Sequence, residues 1–387
     1  MSTAPPHVAV VGAGVAGLTV MQELRRLGYA GRLTVIGAEP HLPYDRPVLS
    51  KQVLLGEWPV ERAYLTTQGE WEALGIEEWH TEPAIELDAV RRVVRLRDGG
   101  TVEADAVVVA SGCRPRIPGF AAGARGVRVL RSIDDCLRLR DALAEGPRVA
   151  VVGGGFLGLE LASAARTMGA HVELVTRKPP LERVLPPELS AELRAMHEEQ
   201  GTVVHCGFDV ERLVAGAGDV DVLHLSNGEV IHAELVVAAV GVEPNLEWLR
   251  SSGLDISDGL ECDDGGRVAA GIYCCGDVAH WWNPALGRRM RFEHRVPAVE
   301  QATVVARNLL GERASWTSLP FWWTDQAGGR LQGYGLTVSE LEFTAHSGSI
   351  GERRFVGLYL DRGSVVGAVG FNSPKELRQA RQLIGNL

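Results

Sequence analysis

The feature that most constrains this chain is a construction it carries twice. "HVAVVGAGVAGLTVMQEL" runs from an apolar stretch through Gly12, Gly14 and Gly17 into a helical pattern, and "PRVAVVGGGFLGLELASAA" repeats it through Gly153, Gly155 and Gly158. In a strand–glycine turn–helix unit the first glycine permits the tight turn. The second lets the backbone approach a pyrophosphate, and the third lets helix and strand close up. The phosphates then meet the positive end of the helix.

Each unit continues in the same way. After the first comes "RLTVIGAE", ending at Glu39, where an acid can hold an adenosine ribose; after the second comes "HVELVTRK", ending in Thr176, Arg177 and Lys178. Further on, "DGGTVEADAVVVASG" parallels "SNGEVIHAELVVAAVG", each a Gly-turned hairpin feeding a buried strand. Two similar dinucleotide units in one chain imply hydride transfer between a nicotinamide and a flavin. The first unit, with its acid, suits FAD. A hydroxyl and two cations in the second suit a 2′-phosphate, so the reading leans to NADPH, with NADH as the alternative. "GIYCCGDVAH" follows the second unit, and its Gly276 and Asp277 suit flavin ribityl hydroxyls. Its position predicts a first domain that is discontinuous in sequence.

Length and composition set the outer limits. A chain of 387 residues exceeds one ordinary core, and 45% apolar with 23% charged residues is globular. The net charge of −10 argues against a nucleic-acid partner. No stretch predicts a membrane span and the N-terminus shows no signal-peptide pattern, so a cytoplasmic location is expected. Cys113, Cys136, Cys206, Cys262, Cys274 and Cys275 form neither a dithiol redox spacing nor a zinc spacing. Reduced thiols and no metal site are therefore expected.

One segment exceeds what a connector needs. "HLPYDRPVLSK" (41–51) packs prolines, a tyrosine, an acid and two cations into a loop-to-helix transition. Together with "ASGCRPRIPG" (110–119), "LRSIDD" (130–135), "GGGFLGLE" (153–160), "GVEPN" (241–245), "CGDVA" (275–279), "EHRVPAVEQA" (293–302) and "LPFWWTDQ" (319–326), it resembles the oxygenase-coupled NAD(P)H ferredoxin and rubredoxin reductases. These FAD-dependent enzymes are related to apoptosis-inducing factor. The resemblance implies that Arg46 lies along the FAD phosphates and that Pro47 packs on the ring system. Lys51 would sit beside flavin N5, paired with Glu160, and these two are the candidate catalytic residues. Cofactor contacts are likewise implied for Ala16, Ala110, Gly112, Arg131, Phe156, Leu157, Gly241, Glu293 and Trp323. The family usually has tryptophan where this chain has Arg295.

From Leu319 the pattern becomes short alternating strands, predicting an antiparallel sheet closed by a helix with Ser373–Glu376 as a capping box. Trp281, Trp282 and Trp322 read as buried filler at domain junctions. Arg288, Arg289, Arg291 and Arg295 offer either a basic patch for an acidic protein or a solvated charged loop.

The expected fold is α/β. It has two Rossmann-like, glutathione-reductase-like domains and a small α+β C-terminal domain. The FAD domain covers 1–113 and 243–318, the NAD(P)H domain 114–242 and the interface domain 319–387. The expected function is hydride transfer from NAD(P)H to FAD, then single electrons to a small acidic 2Fe–2S ferredoxin or rubredoxin feeding an oxygenase. The chain is expected to act as a monomer or homodimer. Rival readings are an NAD(P)H oxidase, which needs a redox cysteine near the flavin, and a redox-sensing flavoprotein resembling apoptosis-inducing factor.

Overall fold

A computed structural model describes residues 4–121, 127–215 and 221–385. It separates into two units. The first comprises residues 1–45, 64–114 and 244–321, and the second residues 46–63, 115–243 and 322–387.

The first unit is organised by a six-stranded sheet in the order Arg267–Ala269, Ile272–Cys274, Ala106–Val109, His7–Val11, Arg32–Ile36, Glu78–His80. All neighbours are parallel except the first pair. His7–Val11 is buried along its whole length, which is why it reads as a continuous apolar run rather than an alternating one. The helices Val15–Arg26 and Arg295–Leu309 carry its core with Leu18, Met21, Leu24, Ala302 and Val305. The strands Arg267–Ala269 and Ile272–Cys274 join this sheet from beyond residue 244.

The second unit contains a parallel sheet in the order Val203–Cys206, His171–Thr176, Arg148–Val152, Leu235–Ala238, Val127–Arg128. It also holds a five-stranded antiparallel sheet in the order Phe321–Gln326, Gly329–Gly335, Ser364–Phe371, Arg354–Asp361, Glu342–Ser349. The α/β class and the C-terminal antiparallel sheet are as expected. The closing helix, Pro374–Ala380, has Pro in its first turn, but the Ser373 side chain makes no capping bond. The expected capping box does not form, because Ser373 leaves the extended backbone a capping residue adopts (φ −132°, ψ 56°).

The tryptophans divide. Trp281 is fully buried and meets Trp316 edge-on at 6.1 Å, and Trp322 meets Phe156 at 5.1 Å. Trp282, expected to be buried, is exposed beneath the Arg289 guanidinium, because neighbours on a strand point to opposite faces. Among the described residues no helix is long and apolar enough to cross a membrane, and no cluster of His, Cys, Asp and Glu could hold a metal.

Candidate active site

The two glycine turns are the same object built twice. Gly12 has φ +119°, and a Cβ there would lie 2.0 Å from the Ala110 carbonyl oxygen. Gly153 has φ +126°, with the Ala239 carbonyl oxygen at 2.2 Å. A Cβ on Gly17 would strike the Gly12 carbonyl at 1.9 Å, and one on Gly158 the Gly153 carbonyl at 1.9 Å. These four glycines are required by the chain itself.

The middle glycines are not. Gly14 and Gly155 have φ of −81° and −83°, and a Cβ on either would meet nothing within 4 Å. Each stands at the N-terminus of a 12-residue helix with no side-chain cap and no acid in the first turn. Bare N–H groups over open space are what a pyrophosphate requires, so both cradles fit a dinucleotide.

Around the first cradle, the Tyr44 hydroxyl donates to Glu39. Ala16 lies under Gly276, whose φ is +77° and whose N–H donates to Gln301 Oε1 at 2.9 Å. Gln301 is fully buried, and its Nε2 finds no acceptor among the described residues. Such an orphan donor beside Gly276 suits a polar cofactor group. The Cys113 thiol donates to Asp277 Oδ2 at 3.1 Å, and Gly112 turns with φ +65°. His294, partly open to solvent yet enclosed on most sides, is held down to about 4 by desolvation, with Asp277 acting in the opposite direction.

The second unit holds the 46–51 segment. Arg46–Ser50 is a short 3₁₀ helix. Arg46 Nη1 donates to the Arg131 carbonyl at 2.6 Å, and the Cys136 thiol donates to the Leu49 carbonyl at 3.2 Å. Lys51 Nζ lies 2.6 Å from Glu160 Oε2 and 3.2 Å from the Pro47 carbonyl. Glu160 is 7% exposed, and its remaining donors are Ser50 Oγ to Oε2 and Thr324 Oγ1 to Oε1, each at 2.6 Å. Lys51 and Glu160 are therefore paired, with Glu160 buried and Lys51 mostly enclosed, rather than forming a surface ion pair. Breaking such a pair costs far more than an exposed one, since a buried charge is left without a partner.

At the second strand end both cations meet acids. The Thr176 hydroxyl donates to the Lys178 carbonyl at 2.7 Å. Arg177 pairs with Asp209 at 3.4 Å, and Lys178 with Glu182 at 3.1 Å. Gly241 turns with φ +103° over open space. Phe156 and Leu157 open the helix of the second cradle.

The basic patch is largely neutralised within the first unit. Arg289 meets Glu261 at 3.1 Å, Arg291 meets Glu293 at 2.5 Å, and Arg295 meets Asp45 at 2.5 Å. Of the expected cluster, Arg288 is the exposed member. The thiols are equally quiet. The six cysteines form no disulfide, and burial pushes Cys136 up to about 11 and Cys275 higher still. Protonated, enclosed thiols are poor nucleophiles.

Thr324, Gln326 and Asp209 were not anticipated. In Phe321–Gln326 burial alternates, with Trp322, Thr324 and Gln326 inward and Phe321, Trp323 and Asp325 partly exposed. Polar residues at every second position beside a buried tryptophan were the available signal. Asp209 comes from a loop after the strand Val203–Cys206 and left no signal near Arg177.

Comparison with known proteins agrees with this geometry. Residues 6–302 match the family described as pyridine nucleotide-disulphide oxidoreductase, and residues 321–386 match the reductase C-terminal family. The chain is 35% identical over 384 residues to the benzene 1,2-dioxygenase system ferredoxin–NAD(+) reductase subunit of Pseudomonas putida, covering 98% of this chain and 92% of that protein. It is 36% identical over 388 residues to the anthranilate 1,2-dioxygenase system ferredoxin–NAD(+) reductase component of Burkholderia cepacia, covering 99% and 94%. The reductase in the covalent putidaredoxin reductase–putidaredoxin complex superposes with a TM-score of 0.94 at 30% identity, covering 99% of this chain and 94% of that one.

Proposed function

This chain belongs to the pyridine nucleotide-disulphide oxidoreductase family, and from that premise we propose that it is the reductase of an oxygenase system. It takes a hydride from NADH and delivers electrons one at a time to a 2Fe–2S ferredoxin, in the cytoplasm. The duplicated cradle carries this reading: two open helix N-termini in one chain, each behind a turn only glycine can make. Bound FAD supplies acceptance of an electron pair as hydride and release of single electrons.

The chain's own residues bind, orient and balance charge. Gly14 and its helix receive the FAD pyrophosphate, with Glu39 at the ribose and Asp277 at the ribityl chain. Gly155 and its helix receive the NADH pyrophosphate. Lys51, aimed by Glu160, would set a cation beside the bound flavin. Arg46, Pro47 and Trp323 are assigned to the same cofactor.

Of the two nicotinamides, NADH fits better. Thr176, Arg177 and Lys178 are already engaged, and a 2′-phosphate would stand beside Asp209 and Glu182. The names of the relatives, ferredoxin–NAD(+) reductases, point the same way. The oxidase reading loses its required group, since the 41–51 segment has no cysteine.

The test is cytochrome c reduction by FAD-loaded protein with NADH or NADPH, with and without an added 2Fe–2S ferredoxin. Turnover that depends on ferredoxin and favours NADH supports the proposal. Peroxide formation at the same rate with or without ferredoxin supports the oxidase instead.

A further inference from the structure

A line of buried polar groups runs away from Glu160 within the second unit. Thr324 Oγ1 donates to Glu160 Oε1 at 2.6 Å, Gln326 Nε2 lies 3.2 Å from Thr324 Oγ1, and His197 Nε2 lies 3.0 Å from Gln326 Oε1. Thr324 and His197 are fully buried and Gln326 is 3% exposed.

The chemistry of each group fixes the direction of the whole line. An ionised carboxylate only accepts, so the Thr324 proton points at Glu160. The Thr324 oxygen must then accept from the Gln326 amide nitrogen. That leaves the Gln326 carbonyl facing His197, which can only donate to it. His197 therefore carries its proton on Nε2. Its Nδ1 has no partner among the described residues, so a second proton would be stranded there. Burial holds the imidazole below its ordinary range as well, and His197 is a fixed neutral anchor rather than a proton shuttle.

We propose that Thr324 is a positioning residue for the Lys51–Glu160 pair, with Gln326 and His197 as the fixed end of a one-way donor line. Three donors leave Glu160 two oxygens with distinct tasks: Oε1 is held by Thr324, and Oε2 faces Ser50 and Lys51. Successive bonds polarise one another in the same sense, so the line fixes the Glu160 carboxyl group and with it the placement of the Lys51 ammonium. This inference rests on the reading of Lys51 as a residue acting on the flavin.

Thr324→Val keeps the shape of the side chain and removes the donor, whereas Thr324→Ser restores the hydroxyl. In FAD-loaded protein, Thr324→Val is expected to make the flavin midpoint potential more negative. It should also slow flavin reduction by NADH roughly tenfold, the size of one lost charge-assisted bond, with KM for NADH changed little. Thr324→Ser should return both values close to wild type. Lys51→Met serves as the control. If Lys51→Met moves the potential and folded Thr324→Val does not, the inference is overturned while the Lys51 reading stands. If Lys51→Met leaves the potential unmoved, the Lys51 reading fails and the inference falls with it. Should Thr324→Val not fold, imidazole ¹⁵N shifts of wild-type His197 decide the direction of the line. A proton on Nε2 alone is expected, and a proton on Nδ1 overturns it.

Discussion

The two cradles share a backbone and differ at the strand end behind it. Gly12 and Gly153 are crowded by Ala110 and Ala239 in the same way, and Gly17 and Gly158 by the preceding glycine carbonyl. Yet the first strand end offers Glu39 with the Tyr44 hydroxyl upon it, and the second offers Arg177 against Asp209. Phosphate binding is thus a property of main-chain sterics, which duplicates readily. On the proposed function, discrimination between dinucleotides would fall to the few side chains at the strand ends. Even the crowding at the strand is exchanged. A Cβ on Gly154 would press on Thr176, while Ala13 stands over Gly37, so each unit keeps one small residue at that crossing.

The largest expected effects come from the glycines the chain itself requires. Gly12→Ala and Gly153→Ala force a Cβ into a carbonyl at a left-handed φ, and each should cost more than about 3 kcal/mol or prevent folding, read by chemical denaturation. Next comes the buried ion pair. Glu160→Gln leaves Lys51 without its counter-charge, and should destabilise by roughly 3 kcal/mol in a urea melt. Arg177–Asp209, exposed on both sides, contrasts with it. Asp209→Asn should change stability by less than about 1 kcal/mol. By freeing Arg177 it should raise kcat/KM for NADPH by about tenfold relative to NADH, as roughly 1.4 kcal/mol of added phosphate contact implies.

A further effect is graded with pH. His7, His197 and His294 are all held below the ordinary histidine range by burial, His294 to about 4. The unfolded chain therefore binds more protons than the native one as pH falls below about 6.5. Stability is complete above that point and declines towards pH 4, each histidine contributing up to ~1.4 kcal/mol per pH unit. Melting temperature measured from pH 7.5 to 4.5 should fall accordingly. A flat profile would show that these rings are protonated in the native protein.

What the sequence made legible follows from the same contrast. Gly12, Gly17, Gly153 and Gly158 announce themselves because no other residue fits, and the parallel sheets follow from runs such as Val8–Val11 that are buried on both faces. Lys51 and Glu160 were visible only through the family resemblance, since nothing in their spacing brings residues 109 positions apart together. Thr324 and Gln326 lie within the 319–326 motif, but only the fold brings them against Glu160 and His197. Asp209 was invisible for a plainer reason: it reaches Arg177 from a separate loop. The arginine cluster shows the converse error, where charges adjacent in sequence were counted without the acids that meet them.

The most direct test of two cradles with separate tasks uses the glycines that only a ligand requires. Gly14→Ala and Gly155→Ala each place a methyl group into open space, so both variants should fold with melting temperatures near wild type. Bound FAD per chain and NADH affinity would then be measured on each. Gly14→Ala is expected to lose FAD, and Gly155→Ala to keep FAD while its Kd for NADH rises by about tenfold or more. Loss of FAD from Gly155→Ala, with Gly14→Ala retaining it, would contradict the assignment of the two cradles.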